Sequence, residues 1–126
     1  MAPIQINAAE MLARYIFSRN QYSSSNQTVK YTAFIPPPEK RLSVFRISDL
    51  TENEILTIGD SIGILRSKPC AGRADIKATA VVESDLSIDA DDIPPRHANI
   101  VGWPEEDSAI KLKAMELAEK AQLHLK

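Results

Sequence analysis

Arg41 and Arg46 flank one apolar, alternating segment, and Arg96 and His97 open another. A guanidinium keeps its charge at any working pH, so near an apolar face it needs a carboxylate, a carbonyl or a ligand phosphate. Arg46 shares the parity of Leu42 and Val44 and is expected to point toward a mostly apolar face. There it meets either an internal acid, such as Asp49 or Asp85, or an anionic ligand. Were the two segments neighbouring strands, Arg46 and His97 would frame an anion site. The densest run of unusual residues is 94–104, with the only tryptophan, one of two histidines and prolines on both sides of Gly102. His97, Asn99 and Trp103 share strand parity, which would hold a planar ligand against an indole with polar groups beside it. The structural alternative is that Trp103 plugs the seam between a sheet and its covering helix. The candidate ligand-binding residues are therefore Arg46, Arg96, His97, Asn99 and Trp103.

Other constellations carry less. The loop 66–73 holds Arg66, Lys68, Arg73 and Gly72 but lacks the Gly-Lys-Ser/Thr signature of a phosphate loop, so it reads as a solvated basic loop. Cys70 beside those cations has the setting of a reactive thiol, yet no Cys-His-Asn spacing accompanies it. Asp89, Asp91 and Asp92 would attract a divalent cation, but no D-x-D-x-D-G loop is present and they read as the solvated end of a strand. Arg14, Arg19 and Lys30 interleave with Tyr15, Tyr22 and Tyr31 as in single-strand binders. The net charge is −2 and no RRM, KH or zinc pattern appears, so nucleic acid is not the favoured partner. No metal and no cofactor are expected.

The elements that must position these residues follow from periodicity. With 126 residues, 44% apolar and 25% charged, the chain suits a single α+β domain over 1–126. Asn7 and Glu10 resemble a capping box ahead of an apolar stripe, predicting a helix over about 8–18. The segment 18–28 reads as a polar loop. Alternation at Val29, Tyr31, Ala33 and Ile35 predicts a strand that three consecutive prolines end. The segment 42–48 is apolar on both faces, as a central strand would be. Thr51 to Glu54 is a full capping box, opening a helix that either runs through Gly59 and Gly63, with close packing against a neighbour to repay them, or ends near 60. Strict alternation over 76–90 fits one long strand or a hairpin turning at 83–85; with no glycine or Asn-Gly to favour a tight turn the single strand is expected, and 97–101 is a brief last one. The final segment carries Ile110, Ala114, Leu117, Ala118, Ala121 and Leu125 on one helical stripe, with Leu112, Met115 and Leu123 off it. The expected architecture is a mostly antiparallel sheet of three to five strands, covered by a long C-terminal helix plus two shorter helices. No apolar run approaches the roughly 20 residues of a membrane helix. The first residues, Met1 to Ile6, lack the basic and apolar segments of a secretion signal.

The segments 42–47 (LSVFRI) and 97–104 (HANIVGWP), with the Ala/Leu-rich end, resemble small uncharacterised bacterial proteins of similar length. That resemblance implies a bacterial cytoplasmic origin and no particular activity. The function expected is a non-catalytic intracellular interaction or regulatory module, an accessory subunit with a protein partner or a second copy of itself. What motivates it is the lack of a catalytic or metal constellation, together with the off-stripe apolar residues. The alternative is a small phosphate-ester or RNA binding protein or enzyme, in which Arg46 and Arg96 hold the anion, His97 moves protons and Trp103 stacks a base. Residue spacing alone assigns no enzyme activity.

Overall fold

A computed structural model describes residues 6–126. Met1 to Gln5, on which most of the reading of the N-terminus falls, lie outside the described residues. The first element departs from expectation. Met11–Ile16 is not helical but forms strand β1, between two other strands of the sheet. Leu12 and Ile16 are buried in one core cluster and Ala13 and Tyr15 in the other. A strand buried on both faces is apolar at both parities, so its sequence also satisfies a helical stripe. Asn7 does cap, but it closes a turn. Its Oδ1 accepts the Ala9 N–H at 2.9 Å and its carbonyl accepts the Glu10 N–H at 2.9 Å.

The expected polar loop contains a 3-10 turn at Arg19–Gln21 and a ribbon of β2 (Tyr22–Ser23) with β3 (Thr28–Val29). The predicted strand over 29–35 is confined to β3, because Tyr31–Phe34 winds into a second 3-10 turn. Ala33 and Phe34 are both fully buried. Consecutive residues of a strand would have faced opposite sides. Strand β4 (Leu42–Arg46) is central, with Leu42 and Val44 in one core and Phe45 in the other. Helix α1 (Glu52–Arg66) opens with the capping box and runs through both glycines. A Cβ on Gly59 would stand 2.7 Å from the Tyr15 ring, and one on Gly63 would stand 2.7 Å from the Lys68 carbonyl. The close packing these glycines required is met by β1 and by the loop after α1.

The long strand predicted over 76–90 is broken. Strand β5 (Gly72–Lys77) ends where helix α2 (Ala78–Glu83) begins, and β6 (Ser87–Asp89) follows a turn at Asp85, whose φ is 60°. Ala78 and Val81, three apart, are both buried, and α2 is pinned to the 7–10 turn through Ala78 N–H to the Glu10 carbonyl. Alternation here is a coincidence of a strand end and a one-and-a-half-turn helix. Strand β7 (His97–Val101) and helix α3 (Asp107–Lys120) lie as expected, but the chain beyond α3 is strand β8 (Gln122–Leu125). Leu123 therefore packs against the core, while Leu112 and Met115 remain exposed on α3.

The result is an α+β fold with a six-stranded antiparallel sheet ordered β6-β7-β4-β1-β5-β8, one strand more than the upper expectation. Both of its faces are covered. Helix α1, at 15 residues the longest, packs on the Ala13, Tyr15 and Phe45 side. Helix α3, the 31–34 turn and α2 seal the opposite side. Among the described residues no helix is long and apolar enough to cross a membrane.

Candidate functional site

Odd-numbered residues of β4 present their backbone groups toward β1, as the Ile47 N–H to the Met11 carbonyl bond just beyond the strand shows. The β1–β4 register holds only at Leu12↔Arg46 and Ala13↔Phe45. Beyond that the Ser43 carbonyl takes its hydrogen bond from a side chain instead. Arg14 Nη1 donates to it at 3.0 Å, and Arg14 Nε donates to the Ala33 carbonyl at 2.9 Å. A cleft of about 630 Å3 opens here, walled by Ile35 to Pro37, the end of α1 at Arg66, and the β4–β7 pair.

Ser43 and Asn99 are opposite each other in register, as are Phe45 and His97, so all four side chains share the α1 side of the sheet. His97 stands between two partners. Its Nδ1 is 2.7 Å from Asp91 Oδ1, and its Nε2 is 2.7 Å from Ser43 Oγ. An ionised Asp91 only accepts, so Nδ1 carries a proton, and in the neutral form of the ring Nε2 accepts the Ser43 hydroxyl hydrogen. The ring stands edge-on to Phe45 at 5.3 Å between centroids, which fixes its plane. The loop before β7 is built to hold this geometry. The His97 N–H bonds the Pro94 carbonyl, the His97 carbonyl accepts the Asp92 N–H, and Asp91 Oδ1 also accepts the Ile93 N–H at 3.2 Å. Asn99 Nδ2 reaches Asp91 Oδ2 at 3.4 Å. Burial works to raise the Asp91 pKa, but His97 and the Ile93 N–H outweigh it and hold the carboxyl below its ordinary value.

Arg14 is the electrostatic centre of the cleft. It lies within a central strand and has no carboxylate partner among the described residues. Burial, with the charge of Arg66 as the second cause, pulls its pKa down to about 10. Arg66, exposed at the mouth, lies over the Phe17 ring at 4.8 Å and likewise lacks a carboxylate partner among the described residues. Arg41, also at the mouth, is paired with Asp89 at 2.5 Å. Glu39 is exposed on the rim.

The sequence-predicted residues divide three ways. His97 and Asn99 stand together in the cleft. Arg46 and Arg96 share a separate depression, where each is neutralised. Arg46 Nε donates to Glu10 Oε1 at 2.7 Å, so its internal acid is Glu10 and not Asp49 or Asp85. Arg96 forks onto Asp49, and that hydrogen-bonded pair raises the arginine and lowers the carboxyl. Trp103 is across the sheet in the α3-side core, its Nε1 donating to the Ile100 carbonyl at 2.9 Å. Gly102, with φ of 87°, turns the chain and breaks the parity that put Trp103 beside His97. Trp103 is thus a plug, not a stacking surface for the cleft.

Cys70 is buried, its Sγ–H donating to the Gly72 carbonyl, and burial pushes its pKa up, the reverse of an activated thiol. Among the described residues no group of three or more His, Cys, Asp or Glu is placed to hold a metal ion. Sequence reasoning passed over Ser43, and it weighed Arg14 and Asp91 only in other roles, as one of the cations interleaved with tyrosines and as a strand-end acid. Only the β4–β7 register, which sets Phe45 against His97, could have brought Ser43 into range. Comparison with protein-family models, curated proteins and solved structures returned no match for this chain.

Proposed function

We propose that the protein binds a small anionic molecule, bearing a carboxylate or phosphate group, in the cleft between Arg14, Arg66 and the His97–Asn99 edge, and that it does so in the bacterial cytoplasm. One observation carries the reading. Arg14 holds a positive charge inside a sheet, satisfied by two carbonyl oxygens but balanced by no carboxylate among the described residues. Burying an unbalanced charge costs several kcal/mol, and an anion in the cleft removes much of that penalty. Arg66 adds to the field, and Asn99 and Ser43 supply hydrogen bonds that orient a ligand. Titration calorimetry with inorganic phosphate, a nucleoside monophosphate and an aromatic dicarboxylate tests this. Saturable binding to at least one, weakened by added salt and lost in Arg14→Met, is expected. Equal affinity in Arg14→Met, or no heat from any of the three, overturns it.

A second reading, the non-catalytic interaction or regulatory module, is favoured by a different observation. An apolar groove of about 590 Å3 runs along α1, floored by Phe45, Leu50, Ile58, Ile62 and Leu65 and walled by Pro94 and Pro95. Ile64, Leu65 and Ile93 are more than three-quarters exposed. The occupant that fits is an amphipathic helix of a protein partner, its apolar residues on the floor and its polar face toward Asn53, Thr57 and Ser61. A photo-crosslinker at Ser61 should capture one discrete partner in cells, and Leu65→Glu should abolish the capture. Unchanged capture in Leu65→Glu would count against the groove.

A further inference from the structure

Asp91, His97 and Ser43 form a continuous chain of hydrogen bonds, 2.7 Å at each link, that ends in a hydroxyl lining the cleft. The two nitrogens of the ring are committed in opposite senses. Nδ1 donates to the carboxylate, so in the neutral ring Nε2 is the basic nitrogen and the acceptor of the hydroxyl proton. This is the arrangement that activates a weak oxygen nucleophile: a base in hydrogen-bond reach, oriented by a third group that also stabilises the imidazolium. Arg14 adds the remaining requirement. Its Nη1 is held 3.0 Å from the Ser43 carbonyl, so the guanidinium stands beside the serine, and Nη2 has no protein acceptor among the described residues. A fixed donor beside the nucleophile is what a developing oxyanion needs.

We propose that Ser43 is the nucleophile of an esterase activity toward carboxylic esters that carry a second, permanent negative charge. The inference rests on the anion-binding reading, and it goes further in assigning a reaction. Arg66, at the open mouth, takes the permanent charge, and Arg14, deeper and beside Ser43, takes the charge that develops on the ester carbonyl. Ser43 Oγ attacks the carbonyl carbon and its proton passes to His97 Nε2, while the carbonyl π pair moves onto oxygen. As the tetrahedral adduct collapses, the bond to the alcohol oxygen breaks and the Nε2 proton goes to that leaving oxygen. A water molecule then adds to the acyl carbon and gives one proton to Nε2. The acyl–Oγ bond breaks and Ser43 Oγ recovers the proton. The sum is ester plus water giving acid plus alcohol, with no oxidant, reductant or other co-reactant. Asp91 and Asn99 are positioning residues, holding the ring in the tautomer with Nε2 free to accept.

The test compares 4-acetoxybenzoate, an anionic ester, with neutral phenyl acetate on the full chain, and follows labelling by a fluorophosphonate with peptide mass spectrometry. Expected are hydrolysis of 4-acetoxybenzoate above background, an adduct on Ser43, and a loss of at least 100-fold in Ser43→Ala and His97→Gln. The preference for the anionic ester should collapse in Arg66→Gln. Hydrolysis by Ser43→Ala at the wild-type rate, or an adduct on another residue, overturns the proposal. Equal rates on the two esters overturn the substrate class. Circular dichroism and thermal melting of Ser43→Ala check its fold, and His97→Gln keeps the question open to refutation should that variant fail to fold. Terephthalate binding by calorimetry separates the two readings. Binding without hydrolysis overturns the nucleophile and leaves the anion site, whereas absence of both removes the anion site as well.

Discussion

Arg14 occupies a strand position flanked by buried apolar residues, and the sheet opens to make room for it. Its charge has no carboxylate to balance it among the described residues, although its N–H groups satisfy the Ala33 and Ser43 carbonyls. Arg14→Met leaves those two carbonyls without a donor and is expected to melt below the wild type, and added phosphate, which should raise the wild-type melting temperature, should leave that of the variant unchanged. Ser84 is a contrasting case. It is 2% exposed and its Oγ has no hydrogen-bond partner among the described residues. Removing an unsatisfied buried hydroxyl relieves its desolvation, so Ser84→Ala should raise unfolding free energy by up to about 1 kcal/mol in urea titrations. Asp91 gives a pH signature. Its folded pKa is depressed, so its contribution is present above the unfolded value of about 3.9 and fades as pH falls through the lower folded value. The melting-temperature gap between wild type and Asp91→Asn should be open at pH 7 and close as the pH falls below the ordinary carboxylate range. A gap that widens in acid would contradict the assigned direction.

Among the elements, α1 and α3 were legible because their signals are local. A capping box, two glycines at four-residue spacing and a stripe on α3 all concern residues within one or two turns of each other. The price of that legibility in α1 is a tight contact that can be measured. Alanine exceeds glycine in helix propensity by about 1 kcal/mol, yet at Gly59 its Cβ would stand 2.7 Å from the Tyr15 ring. Overpacking of this kind costs typically about 1–3 kcal/mol, so Gly59→Ala should be net destabilising in chemical denaturation. Strand β1 and helix α2 were illegible for opposite reasons. Met11–Ile16 carries apolar residues at both parities around Arg14, because strands cover both of its edges and helices cover both of its faces, and such a run fits a helical stripe as well as a strand. The stretch 76–90 alternates cleanly, but Asp85 with φ of 60° reverses the chain between α2 and β6, and nothing in an alternating pattern marks that turn.

At the scale of the molecule, two cores share one sheet, and β8 completes it by pairing with β5 from Gly72↔Leu125 to Asp75↔Gln122. His124 reaches the buried Asp75 at 3.3 Å, and Lys126 pairs with Asp60 on α1, so the last residues tie the edge strand to both layers. Truncation after Lys120 should cost about 1 kcal/mol from the loss of the partly buried Leu123 alone, and should leave β5 an unpaired edge. Size-exclusion chromatography of the truncated chain is expected to show self-association, and a monomer of wild-type stability would refute that role for β8.

The local elements that the amino-acid order determined by itself were α1, through its capping box, α3, through its apolar stripe, and β4 and β7, as short apolar runs set off by prolines or glycine. The site was only half legible. His97 and Asn99 stood out as polar residues on a strand, but Arg46, Arg96 and Trp103 were drawn to them by parity and by proximity in the chain. The register of β4 on β7 brought Ser43 to His97, the break in the β1–β4 ladder brought Arg14 to Ser43, and a glycine turn carried Trp103 to the far face. Strand pairing joins residues tens of positions apart through backbone groups that every residue carries alike. Which side chains meet across a ladder was therefore decided by the tertiary fold.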